Sequence, residues 1–113
     1  MTPNDLKPLS DQLNAITQEV AAPVRSLAQK LTAVGVCVEA DVETELPWTH
    51  LAWMNCGGGW TLALTVSEER PRPMSEWSRV ECIVAARAFP ALLGALHAAI
   101  EGEIEDVANA RQA

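Results

Sequence analysis

The chain has 113 residues, enough for one domain with its own core. Apolar residues make up 49% and charged residues 20%, the balance of a globular chain rather than a disordered one. Fifteen Asp and Glu against eight Lys and Arg leave a net charge of −7. That argues against direct binding to nucleic acid, which needs a basic face to displace counterions from phosphates.

Charge is unevenly spread. Residues 1–47 carry three basic and seven acidic side chains, residues 48–67 none, and residues 68–113 five basic and eight acidic. A charge-free middle between charged ends predicts buried strands between amphipathic helices. In the first part Leu9, Leu13, Ile16, Val20, Val24, Leu27 and Leu31 recur at steps of three and four, one apolar stripe of a helix. Pro23 lies within that stripe and is expected to kink or restart the helix.

Residues 34–43 alternate strictly: Val34, Val36, Val38, Ala40 and Val42 face one way, and Gly35, Cys37, Glu39, Asp41 and Glu43 the other. This pattern predicts a strand with one dry and one acidic face, ended by Glu45-Leu46-Pro47. Residues 48–56 and 60–67 read as two more strands, joined by Gly57-Gly58-Gly59 as a hairpin. A charged, proline-broken loop follows. Ser78 and Glu81 then fit a capping box opening a second helix, whose stripe runs through Trp77, Val80, Val84 and Ala88 and reappears as Leu93, Leu96, Ile100, Ile104 and Val107. Pro90 is a second expected kink. The order is helix, three antiparallel strands, helix. It predicts a single α+β domain over 1–113, helices packed on one face of the sheet, with 1–8 and 108–113 frayed.

Few residues combine into chemistry. Cys37, Cys56 and Cys82 are an odd number without close spacing, which predicts neither a disulfide framework nor a zinc site. No metal or other cofactor is expected. His50 and Cys56 share a strand face but sit about 20 Å apart along it, so a Cys–His dyad would have to recruit His97. The glycine triplet lacks the Lys-Ser/Thr that follows a phosphate loop. Two features remain. Glu39, Asp41, Glu43 and Glu45 line one strand face as an acidic strip, readable as solvated edge or as partner contact. Four tryptophans accompany a single Phe and no Tyr, and Trp48 and Trp53 point to opposite faces of the hairpin, so one of them is a candidate aromatic patch.

The chain resembles, from Leu51 to Leu96, a type of small protein encoded by bacteriophages and mobile elements. The matching residues are Leu51-Ala52-Trp53, Gly57-Gly58-Gly59-Trp60-Thr61-Leu62, Pro73-Met74-Ser75-Glu76-Trp77-Ser78-Arg79 and Phe89-Pro90-Ala91-Leu92-Leu93-Gly94-Ala95-Leu96. The resemblance implies a mobile-element origin and no particular functional residue. The helix–strand–strand–strand–helix order is also that of a double-stranded-RNA-binding domain. That family places lysines where this chain has Ser75-Glu76-Trp77-Ser78-Arg79, so RNA binding is not expected.

The function expected is that of a small, acidic, non-enzymatic protein-protein interaction protein. Its partner would be a basic, nucleic-acid-binding host complex, and its effect inhibitory, in the manner of an anti-CRISPR protein. The contact residues would be Glu39, Asp41, Glu43, Glu45, Trp48 and Trp53. Two alternatives stand: an enzyme or ligand-binding protein using Cys56, His50 or His97, and a self-associating module such as a homodimer. The N-terminal residues lack the pattern of a signal peptide, and no run of eighteen apolar residues marks a membrane span. A cytoplasmic protein is expected.

Overall fold

The computed structural model describes residues 2–112. A short 3₁₀ turn (Pro3–Leu6) leads into α1 (Lys7–Ala33), followed by β1 (Ala40–Glu43), β2 (Thr49–Asn55), β3 (Trp60–Val66) and β4 (Arg72–Pro73). A second 3₁₀ turn (Met74–Glu76) precedes α2 (Arg79–Gln112). The strands form one antiparallel meander in the order β1-β2-β3-β4. The fold is α+β, with four strands rather than three.

The sheet follows from alternation. Pairing sets Ala40 opposite Trp53 opposite Leu62, and Val42 opposite Leu51 opposite Leu64. These side chains therefore share one face, which packs against Val24 and Ala28 of α1 and Ala85, Ala88, Phe89, Leu92 and Leu96 of α2. Trp53, Leu51, Leu62, Leu64 and Leu92 are the largest fully enclosed side chains. The opposite face carries Asp41, Glu43, His50, Ala52, Met54, Thr61, Ala63 and Thr65. Gly57 and Gly59 take positive φ of 91° and 122° in the β2–β3 turn, and the Gly57 N–H donates to Asn55 Oδ1 at 2.9 Å.

The strand predicted over 34–43 is shorter, because the end of α1 uses its first residues. The Gly35 N–H donates to the Thr32 carbonyl at 3.1 Å and the Val36 N–H to the Leu31 carbonyl at 3.1 Å. With Gly35 at φ 74°, these two bonds make a Schellman stop. The Val36 carbonyl then accepts from Trp53 Nε1 at 2.9 Å instead of joining a ladder. β4 went unpredicted because a two-residue strand containing Pro73 has no pattern of its own, and proline is tolerated there because the strand is an edge.

Both helices run through their prolines without interruption, so Pro23 and Pro90 do not restart them. Each proline leaves one carbonyl of the preceding turn without its helical donor, and both prolines are exposed. α2 stays helical to Gln112, through most of the stretch expected to fray. Of the stripe predicted on α1, only its C-terminal half is enclosed: Leu9, Leu13 and Ile16 are exposed. On α2 the buried residues are Val84, Ala85, Ala88, Phe89, Leu92 and Leu96, whereas Val80 is exposed.

Candidate functional site

The β1–β2 turn is built from hydroxyl and backbone bonds. Thr44 Oγ1 donates to the Thr49 carbonyl at 2.9 Å and accepts from the Leu46 N–H at 3.2 Å. Thr49 Oγ1 donates to the Pro47 carbonyl at 3.1 Å, and the Thr49 N–H donates to the Leu46 carbonyl at 3.3 Å. The last bond closes a four-residue turn with Pro47 second and Trp48 third. Trp48 has φ 60°, the left-handed region that a third turn position normally gives to glycine or asparagine. Its side chain is 80% exposed. A bulky residue in that conformation is an outlier, and such outliers gather at functional positions.

The acidic residues run along β1 into this turn. Asp41 and Glu43 project from the open face of β1, with Glu43 opposite His50 on β2 and Asp41 opposite Ala52. Glu39 precedes the strand and is exposed. Glu45 differs from the other three. Both its carboxylate oxygens accept from Arg87 Nη1, at 3.0 and 3.2 Å, which ties the turn to α2. Shallow grooves flank Trp48 on both sides, one lined by Glu43, Glu45 and His50, the other by His50, Thr65 and Ser67. Glu43 is thus the strip residue on the open face nearest Trp48, while Asp41 and Glu39 lie progressively farther along β1, toward the β2–β3 hairpin end. Trp53, predicted as a second contact, is instead wholly buried. It faces the helices, stacks on Trp60 with ring centroids 6.4 Å apart, and hydrogen-bonds Val36.

The alternative chemical set does not assemble. Cys56 is exposed beside the β2–β3 turn, whereas His50 lies toward the opposite end of β2, on the open face. His97 is on α2, with Nδ1 2.8 Å from Glu101. Among the described residues, no group of three His, Cys, Asp or Glu side chains is placed to hold a metal ion.

A larger cleft, about 700 Å³, opens between α1, the Met74–Glu76 turn and the start of α2. Arg25 and Arg79 line it with Trp77, Met74, Val24 and Cys82. Arg79 donates to Asn14 Oδ1 and to Thr17 Oγ1, the latter at 3.0 Å, and Arg25 donates to Gln18 Oε1 at 2.7 Å. Burial pushes the Cys82 thiol above its ordinary range, so it keeps its proton at neutral pH. Sequence reading missed this cleft. Its residues come from two segments far apart in the chain, and only the Ser78–Glu81 capping box hinted where α2 would begin. That box is present, with the Ser78 N–H donating to Glu81 Oε1 at 2.9 Å.

α2 is long and apolar enough to cross a membrane, with a mean hydropathy of 1.7 over its most apolar window. One side of it nevertheless forms the core against the sheet. Searches against protein-family models, curated proteins and solved structures find no match to this chain.

Proposed function

We propose that this is a non-enzymatic interaction protein that docks a basic macromolecular surface through the β1–β2 end of its sheet. Trp48 is the anchor, Glu43 is the charge beside it, and Asp41 and Glu39 extend the acidic strip along β1. The observation that carries this reading is the exposed indole of Trp48, fixed in a left-handed conformation by a rigid turn. An aromatic side chain held this way loses little conformational entropy on docking and can fill a pocket on a partner, as binding hot spots do. The neighbouring carboxylates steer encounter with a positive surface and disfavour negative ones. A nucleic-acid-binding protein offers such a surface, so occupying it would inhibit that protein. An origin in a bacteriophage or mobile element fits an inhibitor of a host complex. Glu45 contributes less than the other three because Arg87 already neutralises it.

The test compares wild type, Trp48→Ala, and a Glu39→Lys, Asp41→Lys, Glu43→Lys variant as baits in a bacterial lysate, with mass spectrometry of the bound proteins. Basic nucleic-acid-binding proteins should be retained by wild type and lost from both variants. The captured complex should also lose its nucleic acid as wild-type protein is added. Identical captures by all three baits would refute the proposal.

A further inference from the structure

The two helices run in the same direction, but they overlap only in part. Arg79, at the start of α2, bonds Asn14 and Thr17 midway along α1, and Cys82, one turn further on, lies in the cleft beside Ala21, Val24 and Arg25. The N-terminal third of α1 therefore extends past the start of α2, and the C-terminal third of α2 extends past the end of α1. The result is a body of 74 × 30 × 24 Å with a radius of gyration of 17.5 Å. A compact chain of this length would have a radius of gyration of about 13 Å.

Both overhangs continue the apolar stripes of the core into solvent. On α1 they expose Leu9 (63%), Leu13 and Ile16, with Leu6 just before the helix; on α2 they expose Ile104 (63%) and Val107 (69%). Ile100, Ile104, Val107 and Ala108 line a shallow apolar groove there. At the helical rise the stripe from Leu6 to Ile16 is about 15 Å long and that from Ile100 to Val107 about 10 Å, and the two lie at opposite ends of the molecule.

We propose that a second copy of this chain covers both overhangs. Turned end for end about a two-fold axis, it lays the start of its α1 along the end of the first copy's α2, and the reverse pair forms at the other end. The contact closes on itself and leaves no stripe unpaired. Two features favour this occupant. Covered in both copies, the stripes' exposed side chains bury on the order of 1,200 Å² in all, the lower edge of a stable interface. Charge also selects the α1–α2 pairing over α2 against α2. The latter would oppose Glu101, Glu103, Glu105 and Asp106 to their own copies, whereas antiparallel α1–α2 pairing brings Asp5 toward Arg111 and sets the Lys7–Asp11 ion pair, neutral overall, against the acidic run. The antiparallel arrangement also sets the positive end of one helix dipole beside the negative end of the other. This inference is independent of the Trp48 site, which lies on the sheet.

The test is solution mass by light scattering at micromolar concentrations. It uses wild type, Leu9→Glu with Leu13→Glu, and Ile104→Glu with Val107→Glu. Wild type should have twice the chain's 12.2 kDa. Each double variant should be a monomer of unchanged helicity, its dissociation constant raised at least about tenfold per substitution. If a glutamate variant loses helicity, Leu9→Gln and Val107→Gln replace it with the same expectation. A monomeric wild type would overturn the proposal. So would a mass rising past the dimer with concentration, the mark of head-to-tail pairing, or a dimer that survives all these substitutions. Binding of a monomeric wild type to phosphatidylcholine vesicles, lost in the same variants, would assign the stripes to a lipid surface instead.

Discussion

Trp48 occupies a backbone conformation that glycine favours, so replacing it separates the strain of the turn from the use of the side chain. Left-handed φ costs a non-glycine residue about 1–2 kcal/mol, and glycine returns about 0.5–1 kcal/mol of that through its freer unfolded chain. At this position Trp48→Gly should therefore be more stable than Trp48→Ala by about 0.5–1 kcal/mol, the reverse of the order in a helix or strand. Only a fifth of the indole is covered, so either substitution forfeits about 1 kcal/mol of burial. Trp48→Ala should thus fall about 1 kcal/mol below wild type, and Trp48→Gly should lie within that distance of it. Urea denaturation followed by the remaining tryptophans measures both, with a shared m-value as the check that the denatured states are alike. If alanine were as stable as glycine here, the left-handed turn would carry no strain and would no longer point to selection for the indole. Both variants should lose partner capture equally, because both remove the anchor.

Other perturbations probe the surroundings. Trp53→Ala should cost about 3–5 kcal/mol, since it empties a fully buried site and leaves the Val36 carbonyl without its indole donor; a loss under about 1 kcal/mol in urea would contradict that placement. Pro90→Ala, at an exposed mid-helix position, should restore the missing donor and raise stability by about 1–3 kcal/mol in the same assay. Thiol alkylation read by mass spectrometry should modify Cys37 and Cys56 rapidly and Cys82 slowly at neutral pH. Because burial raises the Cys82 pKa, the stability tied to its neutral form is present below the unfolded thiol range and is lost as pH rises through the folded value. The Arg70 guanidinium hydrogen-bonded to Glu76 holds that carboxyl below its usual range, so its contribution is lost as acid titrates through the folded value. Carbon-detected titration should show the Glu76 midpoint move up in Arg70→Ala.

Much of the architecture was legible because it rests on local patterns. The alternation of Trp60, Leu62 and Leu64 set the face of β3, and the glycine triplet set the hairpin. The Ser78–Glu81 box placed the start of α2. What escaped depended on competition between local and distant partners. Val34 to Val36 have strand character, but Gly35 lets the end of α1 take their N–H groups, and the Trp53 indole takes the Val36 carbonyl. Alternation cannot reveal that contest. Likewise the seven-residue stripe on α1 reads as uniform, although only the part beside the sheet is covered. Periodicity reports which face is apolar, not how far a partner extends along it.

The candidate site shows the same division. The acidic strip was visible as a strand face, and Asp41 and Glu43 lie on it, whereas Glu39 precedes β1 and Glu45 turns to Arg87. The separation of Trp48 from Trp53 was visible as a question of opposite faces, and pairing answered it by sending Trp53 into the core. The left-handed backbone at Trp48 was not visible, since Leu46-Pro47-Trp48-Thr49 names a proline turn without the glycine or asparagine that would announce positive φ. A sequence shaped only for folding would place glycine after Pro47, where it relieves strain and removes an exposed indole. Tryptophan here breaks two local rules at once, backbone preference and surface polarity, and no buried contact of its own offsets them. Departures of that kind are where a folded chain carries something other than stability. The exposed stripes on the helix overhangs break the surface rule alone and are explained by covering them. Trp48 differs from them: its strain exists in the isolated chain, and under the proposed function the gain that offsets it comes from what the indole touches.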